Sequence, residues 1–445
     1  MSAVRFVAAR TGLAPVARRA LRYVFPEHWS FLLGEIALYA FVVLVGTGIY
    51  LACFFDPSTA VTTYHGSYAP LEGLRVSHAY ASSVHLSLDV EGGLLMRQTH
   101  HWAALVFLAS ILLHLARVFF TGAFRRPREL TWYVGLSMLL LALLEGFAGY
   151  SLPDDLLSGM GLAIAYSVAL SLPLIGAPLA HLAWGGEFPA TGGAFESRLY
   201  LLHVFLIPLA LALLIGIHLT FVALLKHTQF PGPKRSERNV VGAPLWPRYA
   251  LRSLSLFLAV LAVLVTLGGL VQINPLWQWG PYEPYLATNG AQPDWYLGWL
   301  IGALRLMPPV EGSLFGFTFA PNPLFGGVIF PLIVFGLLFA WPTLERRRTG
   351  DGAEHHLLDL PWLRPGRTAL GSALIAWVAV AFIAGSADRI ALHLGVRYDH
   401  LLQLLRGTAI LLPLMTFLVV RALCRSSVRA GEHVDVLAEG ARRST

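Results

Sequence analysis

The chain has 445 residues, 56% of them hydrophobic and only 13% charged, so its long apolar runs are read as membrane spans rather than as the interior of a soluble domain. Two cysteines, Cys53 and Cys424, exclude a disulfide framework, a four-thiolate cluster and a C-x-x-C-H haem attachment. The net charge of +7 does not point to nucleic acid, because the basic residues fall in loops beside apolar runs, where orientation in a bilayer accounts for them.

An N-terminal arm, 1–30, carries Arg5, Arg10, Arg18, Arg19 and Arg22, with no cleavable apolar core before the first span, so no signal peptide is expected. Eight spans follow, near 31–55, 99–120, 132–150, 199–225, 251–273, 324–343, 369–387 and 404–424. Most have the ~20 residues that cross the hydrocarbon. A stretch near 156–172, interrupted by Gly159, Gly161 and Pro173, is expected to lie at the interface or to form a re-entrant loop. The expected fold is all-α, a polytopic membrane protein of eight transmembrane helices.

Charge orders the loops. The arm, the 121–131 loop (Arg125, Arg126, Arg128), the 226–250 loop (Lys226, Lys234, Arg235, Arg238, Arg248), the 344–368 loop (Arg346, Arg347, Arg348) and the tail 426–445 are basic. The alternate loops hold Asp56, Glu72, Asp89, Glu91, Asp154, Asp155, Glu187, Glu283, Asp294 and Glu311. The positive-inside rule then makes both termini cytoplasmic and sends the second and fourth helices inward together.

Those two helices carry matched histidines: His100 and His114, 14 apart, and His203 and His218, 15 apart. Histidines buried in hydrocarbon are costly unless something binds them. On parallel helices the first faces the first and the second the second, on levels ~21 Å apart at 1.5 Å per residue. That arrangement holds two haems between two helices, one iron at His100/His203 toward the outside and one at His114/His218 toward the inside. His101 competes with His100, but a 14-residue offset returns a side chain to within ~40° of its start and a 13-residue offset leaves it ~140° away, so His101 faces elsewhere.

Gly34 and Gly48 in the first helix, and Gly135 and Gly149 in the third, repeat the 14-residue spacing. Glycine leaves room where a haem edge approaches; the alternative is ordinary small-residue packing. Arg97 and Arg198 stand just outside the outer histidines, placed either to neutralise haem propionates or to snorkel at the interface.

Several segments together carry a resemblance: Arg97-Gln-Thr-His100-His-Trp, His114-Leu-Ala-Arg117, Gly149-Tyr-Ser-Leu-Pro153, Arg198-Leu-Tyr-Leu-Leu-His203 and Pro293-Asp-Trp-Tyr296. Over roughly residues 25 to 425 the chain resembles cytochrome b of the quinol–cytochrome c reductases, in its actinobacterial form. The resemblance implies a dihaem four-helix bundle in 31–225 and a C-terminal domain in 226–425 with a quinol-site loop at 282–310. It further implies two non-covalent b haems, low-potential outside and high-potential inside, and two quinone sites, with menaquinone favoured. The implied setting is the bacterial cell membrane, with membrane lipid around the chain. Implied partners are a Rieske iron–sulfur protein and a c-type cytochrome, with a homodimer expected; whether the c-type partner belongs to a supercomplex with a terminal oxidase is left open.

Pro293, Asp294, Trp295 and Tyr296 resemble the family's Pro-Glu-Trp-Tyr motif at the quinol-oxidising site. A carboxylate there accepts a proton as quinol is oxidised and hands it outward; here the stem is one methylene shorter. Tyr150 and Gly161 match positions bordering the same pocket. Where many relatives have Pro-Trp-Gly-Gln, this chain reads Pro153-Asp154-Asp155-Leu156, the aspartates serving either proton exit or solvation of a loop. Glu145 is a further proton-path candidate or a hydrogen-bonded carboxylate. Glu35, Lys226 and His227 stand near the inner quinone site without singling out one of them, and His355 and His356 are expected to be solvated. The implied reaction sends one quinol electron to the iron–sulfur partner and the other through the haems to an inner quinone. A dihaem anchor of another oxidoreductase and a haem-free transporter with polar histidines are the alternatives.

Overall fold

The computed structural model describes residues 10, 21–189, 195–286, 292–308, 312–315, 317–319 and 322–443; Arg5, Arg18, Arg19 and Glu311 lie outside the described residues. Among the described residues eight helices are long and apolar enough to cross a membrane: Trp29–Ala52, Gly93–Phe120, Glu129–Tyr150, Phe195–Leu225, Leu245–Leu270, Pro323–Thr349, Pro365–Gly385 and Tyr398–Arg429. Each overlaps one expected span. The second begins earlier than expected, because Arg97 and Gln98 interrupt the apolar run but not the backbone ladder. Leu156–Leu170 is a separate helix of 15 residues, about 22 Å long and too short to span. Among the described residues the strands are three short antiparallel pairs in loops. The protein is an all-α, multi-pass membrane protein.

The first span packs on the second, the second also on the fifth, the third on the fourth, and the seventh on the eighth. A core of Ala37, Ala40, Leu105, Leu108, Leu139 and Ala142 fills the middle of the first three spans, and Tyr296 reaches into it from the loop before the sixth.

The loops gather into two layers of opposite charge character. In the basic layer, Gln229 N donates to His356 O (2.9 Å) and Asp359 N to Thr121 O (2.9 Å). There the Arg128 guanidinium donates to the carbonyls of His355 (2.7 Å), Leu225 and Lys226 (both 3.0 Å). In the acidic layer, Leu156 N donates to Gly280 O and Tyr282 N to Asp154 O, both at 3.0 Å. His355 and His356 are not the solvated residues expected: His355 Nε2 lies 3.0 Å from Asp351, and His356 Nδ1 accepts from Arg128 at 2.8 Å. Three basic loops meet there, and both histidines are half-buried with side-chain partners.

The fourth span is not a uniform helix. Leu202–Leu206 is a wide, π-type turn that leads into Ile207–Leu225, where Pro208 lacks the N–H a regular α-turn would use. A wide turn absorbs one extra residue. The 15-residue spacing from His203 to His218 therefore phases like the 14-residue spacing on the second span.

Arg367, 4% exposed, holds the basic layer to the seventh span. It pairs with Asp359 and, at 3.5 Å, with Glu345. Arg125 and Arg364 also reach Asp359, at 3.3 and 3.2 Å. Burial pushes the Asp359 carboxyl up, but Arg125 and Arg367 outweigh it and hold the group below the usual carboxylate range. Truncating one member of a buried ion pair strands the others, so Arg367→Ala is expected to cost ~3–5 kcal/mol. Thermal unfolding of the purified protein near neutral pH checks this.

Candidate functional site

The imidazoles of His100 and His203 face each other with ring centroids 6.1 Å apart, and those of His114 and His218 stand 6.5 Å apart. First meets first and second meets second, so the second and fourth spans run parallel. All four glycines stand behind these rings. A Cβ at Gly34 would come within 3.3 Å of His114 Cε1, one at Gly48 within 3.3 Å of His100 Cε1, and one at Gly135 within 3.8 Å of His218 Cε1. At Gly149 it would overlap the His203 ring. The atoms occupying the four notches are thus imidazole atoms.

The outer pair has polar support that the sequence reading did not assign. Thr47 Oγ1 lies 2.9 Å from His100 Nδ1, and Glu145 Oε1 lies 3.0 Å from His203 Nδ1. Thr47 adjoins Gly48, and Glu145 is one turn before Gly149, so each glycine's helix delivers both the notch and the partner. In the inner pair, His114 Nδ1 is buried without a hydrogen-bond partner among the described residues.

Arg97 and Arg198 differ. Arg97 donates to Asn274 O at 3.1 Å and lies over the Trp277 ring, while its buried Nε has no partner among the described residues. Arg198 is exposed and donates to Leu182 O at 3.3 Å.

The Pro293–Tyr296 segment is drawn against the outer histidine level. Tyr150 Oη donates to Gln292 O at 3.4 Å. Tyr296, 2% exposed, sits where a side chain on Gly146 would be, and burial raises its phenol well above the ordinary value, with the nearby Asp294 carboxylate adding to it. Trp295 packs partly buried on the core of the first three spans. Gly161 has open space around it and meets none of these groups. Asp155 is fully buried and accepts from Ser158 N at 3.2 Å as the cap of Leu156–Leu170. For it the solvated-loop reading is corrected, because capping a buried helix end needs an acceptor. Burial pushes the neighbouring Asp154 carboxyl up to about 6, with Asp155 and Glu283 adding to the rise and a Ser77 hydrogen bond opposing it.

Toward the basic layer, a cavity of about 1010 Å³ is lined by His114, His218, Gly34 and Gly135 at one end and by Glu35, Arg117, Lys226 and His227 beyond. Glu35 accepts from Tyr249 Oη at 2.5 Å and Ser253 Oγ at 2.9 Å. Burial, then Arg128 and Arg117, lowers His227 to about 4, so it is neutral at pH 7.

Comparisons with known proteins agree with this architecture. A solved structure described as "Hyperthermophilic respiratory Complex III" matches with a TM-score of 0.66, covering 93% of this chain and 99% of that one, at 20% identity; the two chains share a fold. The family model described as "Cytochrome b(N-terminal)/b6/petB" matches residues 105–281. The cytochrome bc1 complex cytochrome b subunit of Mycobacterium tuberculosis is 50% identical over 406 residues, 91% of this chain and 73% of the relative. That of Streptomyces coelicolor is 45% identical over 423 residues, 93% of this chain and 76% of the relative. The chain belongs to the family of cytochrome b subunits of cytochrome bc1 complexes.

The notches rank themselves. Gly149→Ala is expected to cost ~1–3 kcal/mol by overpacking, whereas Gly135→Ala, at ordinary contact distance, is expected to be nearly neutral; apparent unfolding temperatures of the two variants check the order. Asp154 gives a pH signature. Its folded pKa lies above the unfolded value, so the folded state holds the extra proton and this stability contribution is lost as pH rises through about 6. The stability gained in Asp154→Asn over the unsubstituted protein is therefore expected to grow by ~1–3 kcal/mol between pH 4 and 7, read from unfolding at each pH.

Proposed function

We propose that this chain is the electron-carrying cytochrome b of a respiratory quinol–cytochrome c oxidoreductase. It oxidises quinol at its outer face and reduces quinone at its inner face, with protons released outside and taken up inside. The observation that carries the reading is the pair of facing histidine couples, each backed by glycines, in a chain of this family. Two imidazoles ligating one iron at ~2 Å each put their ring centres ~6.3 Å apart, and the measured separations, 6.1 and 6.5 Å, bracket that value. The residues therefore fit two b haems, one at His100/His203 and one at His114/His218. When bound, the haems supply one-electron relay across the membrane.

The chain's own residues do the rest. Gly34, Gly48, Gly135 and Gly149 let the first and third spans close on the four imidazoles. Thr47 and Glu145 fix the outer rings through Nδ1 and leave Nε2 free for iron, the usual outer-shell arrangement. Arg97 is placed to meet a propionate with its unpartnered Nε, and Arg198 keeps further N–H donors for one beside its bond to Leu182 O. At the outer face Asp294 accepts the quinol proton, while Tyr150, Pro293, Trp295 and Tyr296 shape the pocket and Gly161 leaves it room. At the inner face the end of the cavity at His114 and His218 would hold the inner haem, and its far end receives quinone, with Glu35, Lys226 and His227 as the groups nearest proton uptake.

In this reading the basic loop layer and both termini are cytoplasmic, in a bacterial cell membrane. Residues 31–225 form the haem-binding domain and 226–425 the second domain. The quinol is menaquinol, in keeping with actinobacterial relatives. A Rieske iron–sulfur protein and a c-type cytochrome take the other electron outside, and two copies of the chain associate in the complex, which a terminal oxidase can join.

Haem content tests the reading. Purified chain is expected to carry two b haems with a reduced b-type absorption band, and His203→Ala and His218→Ala are each expected to retain one. Asp294→Asn is expected to keep both and lose quinol-dependent turnover by ~100- to 10,000-fold, the range of a general base. Haem-free protein, or His203→Ala retaining two haems, would overturn it.

A further inference from the structure

The geometry points to His101 as the positioning residue for Asp294: it docks the short carboxylate on the second span, beside the outer histidine level. This rests on the reading of Asp294 as the quinol-side proton acceptor.

Three observations converge. His101 Nε2 lies 2.9 Å from each oxygen of Asp294, and both side chains are only 14% exposed. A carboxylate accepts and does not donate, so Nε2 carries the hydrogen and donates to it.

Asp294 also stands at the N-cap of the helix Trp295–Leu306, yet makes no side-chain cap bond. An aspartate there ordinarily accepts from a backbone N–H of the first turn. Only the backbone keeps the cap geometry, with Leu297 N donating to Asp294 O at 2.9 Å. Both carboxylate oxygens instead lie within reach of a residue 193 positions away, and the Tyr296 side chain hydrogen-bonds the same carboxylate.

The backbone that carries Asp294 is fixed from the opposite side. Arg305 donates to both oxygens of Asp388 at 2.8 Å. Gln292 Nε2 donates to Asp388 Oδ1 at 3.1 Å, and Ser386 Oγ to Gln292 Oε1 at 3.2 Å. A side chain on Gly302 would strike the Ala381 carbonyl, so the helix after Asp294 lies backbone to backbone on the seventh span. With the main chain anchored there, a one-carbon stem has little reach of its own. His101 determines where its oxygens sit, and it does so as a hydrogen-bond donor.

The test is a double-mutant cycle on the intact complex in membranes, read as quinol-dependent turnover with haem content measured alongside. H101L and H101Q have similar volume, and only glutamine keeps a side-chain N–H. H101L is expected to retain both haems and to lose about 10- to 100-fold in kcat, the scale of a misplaced reacting group, with KM for quinol changed less than about twofold. H101Q is expected to recover most of that loss. In a D294N background H101L is expected to cost little more, because the group it positions is gone. Wild-type turnover in H101L, equal losses in H101L and H101Q, or multiplicative losses in the double variant would each overturn the inference. Should H101L fail to take up haem, H101Q with wild-type haem and turnover supports the donor role, and H101Q as inactive as D294N refutes it. D294N with undiminished turnover would instead overturn the reading of Asp294 itself.

Discussion

The first four spans depend on four backbone approaches, in which glycines of the first and third stand directly behind imidazoles of the second and fourth. A methyl group at Gly149 already overlaps His203. The helices are therefore packed onto the rings, whose centroids stand 6.1 and 6.5 Å apart with planes 78° and 71° to each other. In hydrocarbon, where no hydrophobic force draws helices together, small residues that let backbones close are the available means of association. The same contact that assembles the bundle thus aims the ligands.

The two levels are built alike in steric terms and differently in polarity. At the outer level each ring has an Nδ1 partner, Thr47 or Glu145. At the inner level the histidines open onto a large cavity shared with Glu35, Lys226 and His227. One level is closed and hydrogen-bonded. The other opens onto a space lined by titratable groups.

The outer pocket draws on both halves of the chain. Tyr150 comes from the third span, His101 from the second, and Asp294 from the loop before the sixth, held in turn by Asp388 between the seventh and eighth. The two-domain division of the sequence is therefore not a division of this cluster, which sits at the seam of the two halves.

The histidine spacing, the glycine repeat and the loop charges were legible in the sequence because each follows from a one-dimensional rule: helical period, bilayer thickness, or the sign of flanking residues. Helical phase alone separated His100 from His101. It could not show that the 15-residue spacing on the fourth span contains a wide turn at Leu202–Leu206, since that depends on how the helix accommodates Pro208 against its neighbours. Nor could it show that His101 turns to Asp294, that Glu145 turns to His203, or that Arg128 turns to His356. These are meetings of groups tens to hundreds of residues apart, and no local period encodes them. Sequence determined which residues share a level of the membrane; tertiary packing decided their partners, because in a medium without water each buried polar group must find one within the protein.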